Sequence, residues 1–285
     1  MKRKLFEEKM IFNAFKILTF TIVSIVAGLI AFILGNSMSV LSLEFLVEPP
    51  QSGMMAGGIS SAIAGTLMLM GLTIVFTLPL GICTAVFLSE YTNKVDPRLM
   101  RVIRLAISNL AGVPSIVYGL LGLGLFVLSL QLRFSLLSAS LTLSLLTLPV
   151  VIVASEEALR SVPREYREAS LALGASKWET IRGVVLPSAT PGILTACILG
   201  LSRAAGETAP LLMTGAAYYL PQVTGNVFKQ FMALSTHIFF MATQSPNPEV
   251  TRPIQFGTVA VLLFIVLSMN MFAVLLRSRY RRRFK

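Results

Sequence analysis

The feature that most constrains this chain is a set of apolar runs too long for a soluble core. Ile17 to Leu34 and Val259 to Leu276 read as almost continuous hydrocarbon, and a helix needs only about 20 such residues to cross a bilayer core of roughly 30 Å. With 55% apolar and 13% charged residues and a mean hydropathy of +0.78, a water-soluble fold would leave large apolar patches exposed. Backbone polar groups in lipid must be satisfied within the protein. The expected fold class is therefore an all-α polytopic membrane protein.

Hydropathy predicts spans near residues 15–40, 60–89, 106–130, 135–158, 189–215 and 255–277. Orientation follows from the cations, because Lys and Arg are retained on the cytoplasmic side. All but four of the 24 cations fall in four segments: the N-terminus with Lys2, Arg3, Lys4, Lys9 and Lys16; Lys94 to Arg104; Arg160 to Arg182; and the tail from Arg277 to Lys285. Arg133, Lys229 and Arg252 belong to the other side, and Arg203 to neither. Six spans with both termini cytoplasmic account for this alternation. The net charge of +11 is thus topological, and nucleic acid is not an expected partner. The basic N-terminus with its long apolar run is read as a retained anchor, since no small-x-small cleavage site follows it.

Cys83 and Cys197 are far apart in apolar segments and are read as packing residues, while His237 is the only histidine. No metal site is expected from such a set. Gly112-Val113-Pro114 and Gly119-Leu120-Leu121-Gly122 punctuate the third span, which fits either close helix packing or backbone bordering a wet pathway.

Between the fourth and fifth spans the sequence is well organised for a loop. Pro163 suits a first helical turn, and Ala169, Ala172 and Leu173 then share one helical face. Gly174 can end that helix, and Ser176 with Glu179 forms an S-x-x-E capping box that starts another. A short cytoplasmic helix with a small-residue face suits a groove on another protein. An interfacial helix held on the membrane by Arg164, Arg167 and Trp178 fits equally well.

The segment resembles the EAA motif of ABC importer permeases, E-A-A-x3-G-x9-I-x-L-P, with Glu168, Ala169, Gly174, Leu186 and Pro187 in register, Ser170 for the second Ala and Val184 for Ile. The resemblance implies a type I ABC importer transmembrane domain over residues 60–275. Its coupling region, about 156–187, would dock on a separate ATP-binding subunit. Residues 1–59 would hold the first span and an external loop, and 276–285 a basic cytoplasmic tail. No G-x-x-x-x-G-K-[ST] loop occurs, so ATP is expected on partner subunits and no cofactor on this chain.

Arg203 and Glu207 lie four apart in an apolar stretch, a spacing that would put both on one helical face. A charge at mid-membrane costs about 2.5–3.5 kcal/mol even by lenient scales, which makes such a pair a functional candidate. Arg presents a fork matched to tetrahedral oxyanions, and the carboxylate would keep the hold reversible. A self-neutralising structural pair is the plain alternative.

Ser202 to Pro210, with Gly112 to Leu120, resembles the phosphate-specific importer permeases, and Gly206 to Pro210 with the basic tail looks more like their A-type than their C-type subunit. The resemblance implies a second homologous permease, two ATP-binding subunits and an extracytoplasmic phosphate-binding protein as partners, in the inner membrane of a prokaryote. Another oxyanion is the alternative substrate. A membrane enzyme built on Arg203 and Glu207 lacks a nucleophile–base pair or metal ligands. A docking scaffold would leave the cost of the two charges unexplained.

Overall fold

The computed structural model of the chain describes residues 2–92, 95–223 and 225–283, so Lys94 and Lys285 of the pattern above lie outside the described residues. Helices run in the order α1 (Lys2–Ser37), α2 (Leu43–Val47), α3 (Ser60–Glu90), α4 (Pro97–Ala111), α5 (Ser115–Gly122), α6 (Leu136–Arg160), α7 (Arg164–Ala172), α8 (Lys177–Thr180), α9 (Leu186–Gly206), α10 (Ala209–Thr214), α11 (Leu234–Gln244) and α12 (Pro248–Arg283). Five stretches are long and apolar enough to span, namely α1, α3, α6, α12 and the run Lys177–Gly206 that ends in α9.

The third predicted span is not one helix. Its residues divide between α4 and α5, which meet at an angle of 100°. Pro114 explains the break, since a proline has no N–H for the helical ladder and disfavours helix at the residue before it. Gly112 closes α4, and Pro114 (φ −56°, ψ 140°) stands at the start of α5. Beyond Gly122 the chain widens into a π-helix over Leu123–Ser129, which completes the sixth crossing as a bent pair.

The core is built around α6, which has its apolar and hydroxyl residues buried along its whole length. It lies beside α3 with a nearly constant offset: Ser144 donates to the Thr73 carbonyl, Thr77 and Thr147 share a hydrogen bond of 3.2 Å, and Gly81 faces Val151. The repeat of these contacts every three or four residues makes the two helices run parallel. Small and β-branched residues at the seam let the backbones approach closely, as is usual where lipid supplies no hydrophobic drive. Gly119 and Gly122 of the third span serve the same end. A Cβ on Gly122 would lie 2.1 Å from Thr142 Oγ1, and one on Gly119 only 3.0 Å from the Pro210 Cα. Cys197 is buried in the core as expected, whereas Cys83 is exposed on α3 and belongs to no core cluster among the described residues.

The cation-poor ends are joined by an irregular layer. Ser135 N donates to Thr214 O, Leu136 N to Lys229 O and Leu234 N to Thr66 Oγ1. A hairpin of Pro50–Gln51 with Ala56–Gly57 closes the same layer, and Tyr219 Oη donates to Pro50 O. In this layer α11 carries His237, 1% exposed, with neither ring nitrogen hydrogen-bonded among the described residues.

Burial pushes the His237 pKa down to about 4. An unfolded chain therefore binds more protons than the folded one below about pH 6.5, so this stability is complete above that pH and lost as pH falls towards 4. The loss amounts to about 3 kcal/mol by pH 4. Thermal unfolding of wild type and His237→Leu should diverge across this window, with the wild type losing more stability on acidification. Parallel curves would show that His237 does not carry the effect.

Candidate functional site

Arg203 sits in the last turn of α9, well inside the bundle. Its neighbour Ala204 packs with Leu69 and Leu143, and Gly200 faces Val151. These levels lie roughly 10–20 Å along α6 from its outer end at Leu136. The expected shared helical face is corrected here, and with it the single span 189–215. α9 stops at Gly206, Glu207 is extended (φ −69°, ψ 137°), and the chain turns helical again only at Ala209. Pro210 is the cause, because a continuous helix would need a Pro210 N–H to the Gly206 carbonyl, and that hydrogen does not exist. The exposed Glu207 carbonyl is met instead by the Ser235 hydroxyl of α11 at 2.9 Å.

The two charges still meet, with Arg203 Nε 3.5 Å from Glu207 Oε1. That is a loose, single-point pair, too long for a good charge-assisted bond. The Arg203 side chain is 39% exposed and that of Glu207 15%. The terminal guanidinium nitrogens of Arg203 make no hydrogen bond to any described residue, so the fork remains available to another partner. Tyr118 of α5 lies within electrostatic reach of Arg203 and donates to Leu110 O at 2.9 Å, bridging the bend between α4 and α5. On its other flank, Ser202 donates to Asn270 Oδ1 of α12 at 2.5 Å. Asn270 escaped the sequence reading although a lone amide in an apolar span was there to see.

At the cation-rich end, α7 and α8 form the expected helix, glycine turn, helix. Pro163 precedes the first turn by one position, and no residue of α7 is buried. Gly174 adopts φ +87°, a region that favours glycine. The capping box is present in both directions, Ser176 Oγ accepting from Glu179 N and the Glu179 carboxylate accepting from Ser176 N. The Ser176 hydroxyl, which also donates to this carboxylate at 2.7 Å, and then Ser176 N hold the Glu179 carboxyl below its usual range. Glu168, Ala169 and Gly174 are all exposed, and Leu173 is 89% exposed. Leu186 packs against the inner core, and the π-turn Ile181–Val185 precedes Pro187, which has no N–H for the Gly183 carbonyl.

The bonds that hold this projection in place join residues far apart in the sequence. Arg167 makes a fork on Glu90, with Nη2 at 2.8 Å and Nε at 3.2 Å from Oε1, and also donates to the carbonyls of Leu159 and Val162. Lys177 donates to the Glu90 carbonyl and stacks its ammonium 4.6 Å from the Tyr91 ring. Glu156 is held between Arg104 and Arg160 at 3.0 and 2.8 Å. Thus α7 is fastened to the ends of both α3 and α6, the central helices.

The family described as binding-protein-dependent transport system inner membrane component matches residues 77–285. The chain is 34% identical to a probable ABC transporter permease protein, YqgI, of Bacillus subtilis, over 96% of its length and 95% of the relative's. It is 40% identical to the phosphate transport system permease protein PstA 1 of Mycobacterium tuberculosis, over 80% of this chain and 73% of that one. Among solved structures, a bacterial ABC transporter that imports the acidic polysaccharide alginate shares the fold. Its TM-score is 0.64 at 16% identity, covering 97% of this chain and 99% of the other.

Proposed function

This chain belongs to the binding-protein-dependent transport system inner membrane component family, and on that premise we propose that it is the phosphate-translocating permease subunit of an ATP-driven importer in the cytoplasmic membrane. The observation that carries the substrate assignment is the unoccupied fork of Arg203 at membrane depth, in a chain 40% identical to a phosphate permease. A guanidinium offers parallel donors at the spacing of two oxygens on a tetrahedral anion. Its loose pairing with Glu207 makes it exchangeable, and conduction needs binding that can be undone.

The chain pairs with a second permease and with ATP-binding subunits that dock on the surface of Glu168, Ala169 and Gly174, and an extracytoplasmic protein delivers phosphate. ATP acts on those partners. Closure of the ATPases moves α7, and the Glu90–Arg167 fastening passes that movement to α3 and α6, switching the side from which Arg203 is reached. Cells lacking their own importers, supplied with the partner subunits, should take up radiolabelled phosphate only when this chain is present. Uptake without it would remove the assignment.

Glu207 adds selectivity. Hydrogen phosphate retains a proton that it can donate to a carboxylate, whereas sulfate at neutral pH has none. Glu207→Gln should therefore weaken discrimination against sulfate in a competition uptake assay, by about tenfold for one charge-assisted bond. Unchanged discrimination would confine Glu207 to neutralising Arg203.

A further inference from the structure

A second feature lies on the face of α9 opposite the anion pathway. Between α3, α9 and α12 is a cavity of about 260 Å³ walled by apolar side chains, among them Ile74, Leu78, Leu201 and Ala273. Its only polar edge is the Ser202–Asn270 pair, and the two groups are already hydrogen-bonded to each other. No charged side chain is among its lining residues and only the Asn270 amide N–H group is left to donate, so a cavity this apolar takes a hydrocarbon guest rather than an anion or water. Phe272 and Leu276 line both this cavity and a shallower groove of about 370 Å³ that runs on to Ser278 and Arg279. The two spaces therefore adjoin along α12.

Its dimensions and charge are those of one lipid leaflet. From Asn270 to Arg279 is nine helical residues, about 13–14 Å, close to half of a hydrocarbon core of roughly 30 Å. Arg279 is exposed and forms no ion pair among the described residues, and it stands on the cation-rich side. A cation at the headgroup level, above an apolar slot as deep as a leaflet, matches a lipid with an anionic headgroup.

We propose that these adjoining spaces are a binding site for an anionic phospholipid of the cytoplasmic leaflet, with one acyl chain in the cavity and the phosphate at Arg279. The occupant is a lipid because the slot opens toward α12 side chains that face outward, Phe272 and Leu275, at 65% and 55% exposure. The site is distinct from the pathway, since Ser202 turns to α12 while Arg203 faces Tyr118.

The test uses the assembled importer in vesicles doped with phosphatidylglycerol that carries a photoactivatable group on one acyl chain. Labelled peptides from α9 and α12 are then quantified. Label should concentrate on the segment that contains Leu201 and on that containing Ala273. Arg279→Gln should lower it by about fivefold, the worth of one surface cation toward an anionic lipid, while Ala273→Trp should block it with the complex still assembled. The same probe built on phosphatidylcholine should label about fivefold less than the anionic one. Label spread evenly along α1 and α12, equal labelling by both headgroups, insensitivity to Arg279→Gln, or photoproducts joining α12 to a partner protein at this slot would each overturn the proposal.

Discussion

Arg167→Ala is expected to lower ATP-driven phosphate uptake by about 100-fold at matched membrane abundance. The substitution removes the Arg167 donors that fasten α7 to the ends of α3 and α6, leaving the Lys177 bond of α8. It leaves Glu90, 10% exposed at its side chain, with no opposite charge among the described residues, although the Ser89 hydroxyl still donates to it, and it strands the Val162 carbonyl that Arg167 had met. Breaking one partner of a buried pair costs about 3–5 kcal/mol, enough to free α7 from α3 and α6 without touching α9 or the pathway. ATP hydrolysis by the assembled complex should then persist but lose its dependence on delivered phosphate. Glu90→Gln should give a weaker form of the same defect, because an amide still accepts hydrogen bonds but carries no charge. If Arg167→Ala transported normally, the path of force would have to run through Lys177 and α8 instead.

Arg203→Gln is the second large effect. It removes both the charge and the fork, and leaves Glu207 facing any entering anion. Two charge-assisted hydrogen bonds are worth about 1.5–3 kcal/mol each, so uptake should fall by at least about 100-fold. Arg203→Lys separates charge from geometry. It keeps the cation but not the parallel donors, and should retain a small fraction of uptake with a raised KM for phosphate. Equal activity of the Lys and Arg proteins would show that only charge matters, and wild-type uptake in Arg203→Gln would reduce Arg203 to a structural partner of Glu207.

Much of this architecture could be read directly from the sequence, for a simple reason. Lipid imposes a length and polarity on each span, and the capping box and Gly174 act through bonds between near neighbours. Local rules suffice for both. The breaks were harder. Pro114 and Pro210 were visible, but whether a proline kinks a span or ends a helix depends on what receives the freed carbonyls. For Glu207 that is Ser235, 28 positions away. Likewise Glu90 reads as an ordinary terminal carboxylate until Arg167, 77 positions on, folds back over it. The pairing of Arg203 with Glu207 survived the loss of the helix assumed for it, because both side chains still face the same space across the break. Asn270 and the slot beneath it depend on α9 meeting α12, which no local pattern encodes.

The most direct test of the account is transport by the assembled complex in proteoliposomes. ATP is placed with the ATPase subunits, the delivery protein on the opposite face, and radiolabelled phosphate and sulfate are followed in parallel. The account predicts ATP-dependent movement of phosphate that far exceeds that of sulfate. Phosphate movement indifferent to ATP, or sulfate carried as readily as phosphate, would contradict it.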